Sequence, residues 1–151
     1  MARRLAPLGW HIQIYAEGET IEQLGTVLAQ LPVPVVIDRC GGMMAALGTA
    51  HPQYQSLLRL MDSANAWIKT CSYRVSSTDA PFADAEANVK ALAAAAPERC
   101  VWGTDWPHPG MDPVPDAGAL FDQFCVWVPD AATRQRILVD NPAKLYGFIS
   151  T

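Results

Sequence analysis

The sequence has few of the side chains that bind transition metals or form disulfide frameworks. Its 151 residues include three histidines and four cysteines, and no two cysteines form a Cys-x-x-Cys pair. This spacing indicates neither a zinc ribbon nor a network of disulfides. We therefore expect reduced thiols and a cytoplasmic protein, with free cysteines at Cys40, Cys71, Cys100 and Cys125.

Positive charge and long apolar runs are also scarce. Eleven lysine and arginine residues are scattered along the chain against fifteen acidic ones, which gives a net charge of -4 and a pI near 5.2. Binding to a nucleic-acid backbone needs a clustered basic patch, so we exclude nucleic acid as a partner. No apolar run approaches the length of a membrane-spanning helix, and no signal-peptide core follows the basic start. We expect a soluble protein without a membrane partner.

What the chain does have is a regular alternation of strand and helix patterns. Half of its residues are hydrophobic, enough for one domain with a core over residues 1–151. Short apolar runs predict strands at residues 10–15, 33–38, 66–71 and 100–104. Apolar residues at helical spacing, or runs of alanine, predict helices at residues 20–31, 51–63, 83–96, 116–128 and 130–138, with a last turn at 142–146.

This order of elements predicts an α/β protein built from βα units. Strands that alternate with helices are typical of a parallel sheet. Four such units followed by helices amount to half of an eight-stranded TIM barrel. Asp130 precedes the fifth predicted helix and is a candidate for its N-cap. We expect a half-barrel that is completed by oligomerisation.

Polar side chains lie at or just after the ends of all four predicted strands. They are Tyr15, Arg39, Arg74 and Asp105. Because the carboxyl ends of barrel strands meet at the face that carries the catalytic groups, we expect one acid, one phenol and two guanidinium groups there. Partial burial can raise the proton affinity of a carboxylate, which would suit Asp105 to acid–base chemistry. The alternative is that Asp105 only caps the loop after its strand.

Five segments carry recognisable motifs. They are Leu-Ala-Pro-Leu-Gly-Trp-His-Ile-Gln-Ile-Tyr at 5–15, Pro-Val-Val-Ile-Asp at 34–38, Ser-Tyr-Arg at 72–74, Trp-Gly-Thr-Asp-Trp-Pro-His at 102–108 and Asp-Asn-Pro-Ala-Lys-Leu-Tyr at 140–146. In this order they resemble the amidohydrolase-related metal-dependent hydrolases, most of all the 2-pyrone-4,6-dicarboxylate lactonases. The resemblance covers only the carboxyl-terminal half of that family's barrel, so the His-x-His motif of its first strand has no counterpart here.

The resemblance implies roles for three residues. Asp105 corresponds to the last-strand aspartate that takes a proton from the attacking water and returns it to the leaving group. Arg74 and Tyr15 match positions that contact the substrate, and a guanidinium can bind a carboxylate through two parallel hydrogen bonds. From the residues alone, Arg74 could equally be a solvated loop arginine, and Tyr15 a barrel-core aromatic with its hydroxyl bonded to a neighbour.

Arg39 stands where the resemblance predicts a histidine, because family members commonly have Asp-His after the Val-Ile run. Strand alternation places Arg39 on the same side as Val35 and Ile37, which we expect to face the barrel axis. Arg39 could supply a second anion contact. Alternatively, it fills the space of the lost histidine and forms an ion pair with Asp38 or Asp105.

Other residues near the strand ends have weaker cases. His108 follows Asp105 by three positions and could contact substrate at the same mouth, although a single loop histidine is often solvated. Cys40 and Cys71 also lie near strand ends, but the sequence places no base beside either thiol. We therefore interpret both as buried structural thiols.

Two classes of function remain open. The first is a hydrolase that opens a lactone or carbonyl ester of a small mono- or dicarboxylate, with Asp105 activating water. The resemblance implies no metal cofactor for the lactonases, and a divalent metal such as zinc would require ligands from another chain. A metal-dependent hydrolase or a decarboxylase is the alternative within this class.

The second class is a half-barrel without catalytic activity that oligomerises or binds a partner. Its outer strands would leave unpaired edges, and its inner face would expose apolar side chains to water. Pairing of these edges predicts a homodimer, a larger oligomer or a complex with an amino-terminal half-barrel.

Overall fold

The computed structural model describes residues 1–148 and shows one parallel sheet of four strands in the order β1-β2-β3-β4. The strands are β1 (Ile12–Ile14), β2 (Val35–Ile37), β3 (Ala66–Thr70) and β4 (Cys100–Trp102). Each strand pairs in parallel with the next one along the chain. The predicted α/β organisation is therefore confirmed, with strands shorter than the apolar runs from which they were predicted.

Seven α-helices surround this sheet within the described residues. They are α1 (Ala2–Leu5), α2 (Gly18–Ala29), α3 (Pro52–Met61), α4 (Glu86–Ala95), α5 (Ala117–Trp127), α6 (Ala131–Gln135) and α7 (Asn141–Tyr146). The helix predicted at 130–138 is interrupted, because a π-helical turn (Arg136–Asp140) follows α6 and leads into α7. None of the helices in residues 1–148 is long and apolar enough to cross a membrane.

Aspartate side chains fix the starts of the two helices that follow the sheet. The Asp116 carboxylate accepts a hydrogen bond from the Ala119 amide at 2.8 Å, and that of Asp130 accepts one from the Thr133 amide at 2.7 Å. Each side chain satisfies an amide that has no partner inside its own helix, which is worth about 1 kcal/mol. The predicted N-cap role of Asp130 is confirmed.

The main core lies between the sheet and the helices. Val35 and Ile37 of β2 are fully buried there, together with Ile68 of β3 and Leu57 of α3. Val35 and Ile37 thus face the helices, and the prediction that they face the barrel axis is wrong. Alternating residues of a strand point to opposite faces, so it is Val36 that faces the inside of the barrel.

A second, smaller core covers the inner face of the sheet. Val36, Trp67 and Val101 pack together there with exposed fractions of 0%, 5% and 2%, and Leu145 of α7 packs against them. The side-chain amide of Asn141, at the start of α7, donates to the Pro97 and Cys100 carbonyls at 2.8 and 2.6 Å. The prediction that the apolar inner face is open to water is therefore wrong for this part of the sheet, because α7 folds over it.

Candidate active site

A polar layer lies beyond the apolar one on the inner face, toward the carboxyl ends of the strands. Asp38 follows Val36 by two positions and therefore points to the same face. Its carboxylate accepts a hydrogen bond from the Gln13 amide at 2.8 Å and lies 3.6 Å from the Lys69 ammonium. Asp38 is thus paired with Lys69 rather than with the side chain of Arg39.

The Asp105 carboxylate is the centre of the site, and four donor groups surround it. Its Oδ1 atom accepts from Nε and Nη2 of Arg39 at 3.0 and 2.9 Å. Its Oδ2 atom accepts from Nε of Arg74 at 2.6 Å and from the Tyr73 hydroxyl at 2.8 Å. The structure therefore brings Asp105, Arg39 and Arg74 into direct contact, as their positions after three different strands led us to expect.

Arg39 follows Ile37, which faces the helices, by two positions, and yet its side chain reaches Asp105. The backbone conformation of Arg39 explains this contact. Arg39 has a φ of 49° and Asp105 a φ of 60°, both in the left-handed region. Residues other than glycine rarely adopt this conformation, and such strain tends to occur at functional sites. The turn at Arg39 ends the strand alternation and directs the guanidinium over the mouth of the barrel.

The hydrogen bonds around Asp105 determine its charge. Burial alone would raise the pKa of this carboxyl, but hydrogen bonds from Tyr73, Arg74 and Arg39 hold its pKa below the usual value. The expectation that the site raises the proton affinity of Asp105 is therefore wrong for this arrangement, because two guanidinium groups stabilise the ionised form. Asp105 is a carboxylate at neutral pH.

His108 is buried next to the site and contacts Tyr73. It is 3% exposed, so the alternative of a solvated loop histidine is wrong. Its Nδ1 atom lies 3.2 Å from the Tyr73 hydroxyl, which itself donates to Asp105. Because the Tyr73 proton points to Asp105, Nδ1 of His108 is the donor in this contact. Tyr73 was not among the predicted site residues, although it lies in the Ser-Tyr-Arg motif at 72–74.

Arg74 and Tyr15 differ in how firmly they are held. Arg74 also donates through Nη2 to the Pro109 carbonyl at 2.7 Å, so it is not a solvated loop arginine. Tyr15 is 64% exposed, so it is not a core aromatic. Its ring lies under the Arg39 guanidinium, whose Cζ atom is 4.3 Å from the ring centroid. Both arginines and Tyr15 line an open cavity of about 420 Å³, with the exposed Glu17 and Glu19 at its rim.

The donor set around Asp105 does not fit a divalent cation. Two guanidinium groups already neutralise the carboxylate, and residues 1–148 contain no cluster of three or more histidine, cysteine, aspartate or glutamate side chains. His51 instead caps α3 through Nδ1, and His11 packs edge-on against Tyr146. A metal with ligands from another polypeptide stays a prediction.

The two thiols near the strand ends are structural. Cys40 and Cys71 are buried, and the Cys40 thiol donates to the Cys71 carbonyl at 3.6 Å. Burial raises the pKa of Cys40 to about 12 and raises the pKa of Cys71 as well. A raised pKa favours the neutral thiol, and the prediction that both cysteines are buried is confirmed.

Comparison with known proteins identifies the family of this chain. The family model described as amidohydrolase matches residues 1–148, and the chain belongs to that family. It is 37% identical over 146 residues to the 4-sulfomuconolactone hydrolase of Rhizobium radiobacter, covering 94% of this chain and 49% of that protein. It is 35% identical over 157 residues to the 2-pyrone-4,6-dicarboxylate hydrolase of Comamonas testosteroni, covering 97% of this chain and 52% of that protein.

A solved structure shows the same fold. It is a candidate 2-pyrone-4,6-dicarboxylic acid hydrolase from Acinetobacter baumannii with citric acid bound, 28% identical, with a TM-score of 0.86 over 97% of this chain and 56% of that one. Because the solved neighbours are TIM-barrel amidohydrolases, the predicted half-barrel is confirmed. The chain spans about half the length of the curated relatives it matches.

Proposed function

We propose that this chain forms the carboxyl-terminal half of the active site of a hydrolase that opens a lactone of a small dicarboxylate. The observation that carries the proposal is the ionised Asp105 between two guanidinium groups, beside an open cavity at the carboxyl ends of the strands. Relatives that hydrolyse sulfomuconolactone and pyrone dicarboxylate support this class of substrate.

Arg39 and Arg74 account for the anionic part of the substrate. Both line the cavity, and a guanidinium binds a carboxylate through two parallel N–H groups. The Tyr15 ring offers a flat apolar wall against which an unsaturated lactone ring could lie. Citric acid, bound in the Acinetobacter baumannii structure, is likewise a small molecule with several carboxyl groups.

Asp105 accounts for the reaction. Its carboxylate takes a proton from water as the water oxygen attacks the lactone carbonyl carbon, which forms a tetrahedral intermediate. Collapse of this intermediate breaks the bond between the carbonyl carbon and the ring oxygen. The ring oxygen then receives the proton back from Asp105, so the carboxylate is regenerated and the product carries one new carboxyl and one new hydroxyl group.

We also propose that polypeptide outside residues 1–151 completes the barrel, either as a second copy of the chain or as an amino-terminal half-barrel. Within the described residues, β1 and β4 each pair along one edge only. Leu8 and Trp10, which precede β1, are largely exposed although both are apolar. Light scattering of the purified chain tests the first form: we expect a homodimer, and a stable monomer would contradict it.

The function is tested by assaying the purified chain with 2-pyrone-4,6-dicarboxylate and comparing the Asp105→Asn variant. We expect hydrolysis by the natural chain and a loss of about 10²- to 10⁴-fold in kcat for the variant. Asp122→Asn, which changes an exposed carboxylate of α5, is the matched control and should keep full activity. Equal rates for the two variants, at intact circular dichroism, would overturn the proposal. A natural chain that stays inactive both alone and together with an amino-terminal half-barrel would also overturn it and would favour the non-catalytic half-barrel.

A further inference from the structure

The base of the proposed reaction has no free position for water in this structure. A carboxylate offers about four acceptor positions. In Asp105 all of them are used, two by Arg39 on Oδ1 and one each by Arg74 and Tyr73 on Oδ2. A water molecule can therefore be deprotonated by Asp105 only after one of these donors has left.

The three donors differ in how they are held elsewhere. Tyr73 is buried, and its hydroxyl also contacts His108 at 3.2 Å. Arg74 is fixed by its second hydrogen bond, to the Pro109 carbonyl. The Arg39 guanidinium donates both of its hydrogen bonds in residues 1–148 to Asp105, and it also lies against Tyr15, with its Cζ atom 4.3 Å from the ring centroid. Arg39 is thus the donor that no hydrogen bond to the backbone or to His108 holds in place.

We propose that Arg39 is a displaceable latch on Asp105, released when an oxyanion of the ligand takes over its guanidinium. This inference rests on the proposed function, since it describes what substrate binding does to the same site. The exchange replaces one ion pair by another and leaves Oδ1 free to receive the attacking water. No covalent bond changes, Asp105 stays ionised, and the carboxylate or sulfonate of the ligand replaces Asp105 as the counter-ion of Arg39.

The surroundings of Arg39 suit such an exchange. The guanidinium already lines the cavity in which a ligand would bind, so the displacement is short. Its stack on the exposed Tyr15 ring does not depend on Asp105 and can persist while the hydrogen bonds change partner. Glu17 and Glu19 at the rim are exposed and form no ion pair with Arg39 among the described residues. A neutral ligand offers no charge in exchange, so the latch makes Arg39 a determinant of specificity for anionic substrates.

The test is an NMR titration of the Asp105 side-chain carboxyl in the full chain, with the resonance assigned from Asp105→Asn. The probe is 1,2-ethanedisulfonate, whose charge does not change over the titration, and uncharged dimethyl sulfone is the matched control. We expect ethanedisulfonate to raise the Asp105 pKa and to shift the Arg39 Nε–H resonance, whereas dimethyl sulfone does neither.

Two variants distinguish displacement of Arg39 from the direct electrostatic effect that a nearby anion has on the pKa of Asp105. Arg39→Gln should raise the Asp105 pKa without any probe, and the probe should then produce a much smaller further rise. Arg136→Gln, in which an arginine paired with Glu98 at the surface is changed, should behave as the natural chain does. A probe-induced rise of equal size in Arg39→Gln, or binding without any rise in the natural chain, would overturn the latch.

The outcome is independent of the turnover assay. Hydrolysis that depends on Asp105, together with an Asp105 pKa that ignores the bound probe, would overturn the latch and keep the proposed function. A probe-dependent rise carried by Arg39, in a chain that hydrolyses no lactone, would keep the latch as an anion-binding device and overturn the function. If Arg39→Gln does not fold, Arg39→Met, which keeps an aliphatic side chain but carries neither charge nor donor, takes its place with the same expected results.

Discussion

Replacing Asn141 by alanine should destabilise the chain, because this side chain holds α7 against the sheet. Asn141 is buried, and its amide donates two hydrogen bonds, to the Pro97 and Cys100 carbonyls at 2.8 and 2.6 Å. A hydrogen bond contributes about 1 kcal/mol net, so the loss of two amounts to about 2 kcal/mol. Loss of these two hydrogen bonds would also weaken the packing of Leu145 against Val36, Trp67 and Val101 on the inner face of the sheet.

Urea unfolding followed by tryptophan fluorescence measures this effect. In thermal unfolding of a domain of this size, a loss of about 2 kcal/mol corresponds to a decrease in Tm of about 4–8 °C. Gln135→Ala is the control, because Gln135 is exposed and makes one long hydrogen bond, at 3.4 Å, to Asp140. If Asn141→Ala and Gln135→Ala unfold at the same urea concentration with the same m-value, α7 does not hold the inner face as we infer.

Further predictions concern the site. Arg74→Lys should raise KM for pyrone dicarboxylate about tenfold or more in steady-state assays, because an ammonium cannot form the two-pronged contact; an unchanged KM would exclude Arg74 from substrate binding. Tyr73→Phe should raise the pKa of Asp105 in an NMR titration, since one donor to the carboxylate is lost, and no change would refute that donor's role. The Asp105 pKa is lower in the folded than in the unfolded chain, so its stabilising contribution is present above the unfolded value and disappears as pH falls through the folded one. Unfolding of Asp105→Asn should therefore depend less on pH below about 4 than that of the natural chain. Cys40 and Cys71 should react with a thiol reagent only after unfolding, and rapid labelling in native buffer would contradict their burial.

The sequence was sufficient for the order of elements but not for the faces of the strands. Apolar runs and turn residues locate the four strands and their helices to within a few residues. The run 33–37 is apolar on both faces, so alternation alone could not say whether Val35 or Val36 faces the barrel axis. Arg39 was consequently predicted to share the side of Val35 and Ile37, which face the helices. Its contact with Asp105 depends on its left-handed backbone conformation, which the sequence does not indicate.

Long-range contacts explain the other differences. The family motifs selected Asp105 and Arg74 correctly as neighbours, but the pKa of Asp105 depends on Arg39, which lies 66 positions away in the chain. For His108 the sequence left two possibilities, a substrate contact or a solvated loop histidine, because nothing local covers it. In the fold, it is buried and contacts Tyr73, 35 positions earlier. Burial of a single polar residue is decided by packing between distant segments, which hydrophobic periodicity does not report.

In the proposed function, the latch on Asp105 connects ligand binding to catalysis. In the free site, Asp105 occupies the guanidinium groups that a dicarboxylate would need, so the carboxylate of the protein and those of the ligand compete for the same donors. An anion that binds Arg39 therefore also removes the hydrogen bonds that lower the basicity of Asp105. A histidine at position 39, as the family resemblance led us to expect, would offer no guanidinium fork to exchange. In the proposed latch, the arginine at position 39 thus makes anion binding and exposure of the base a single event.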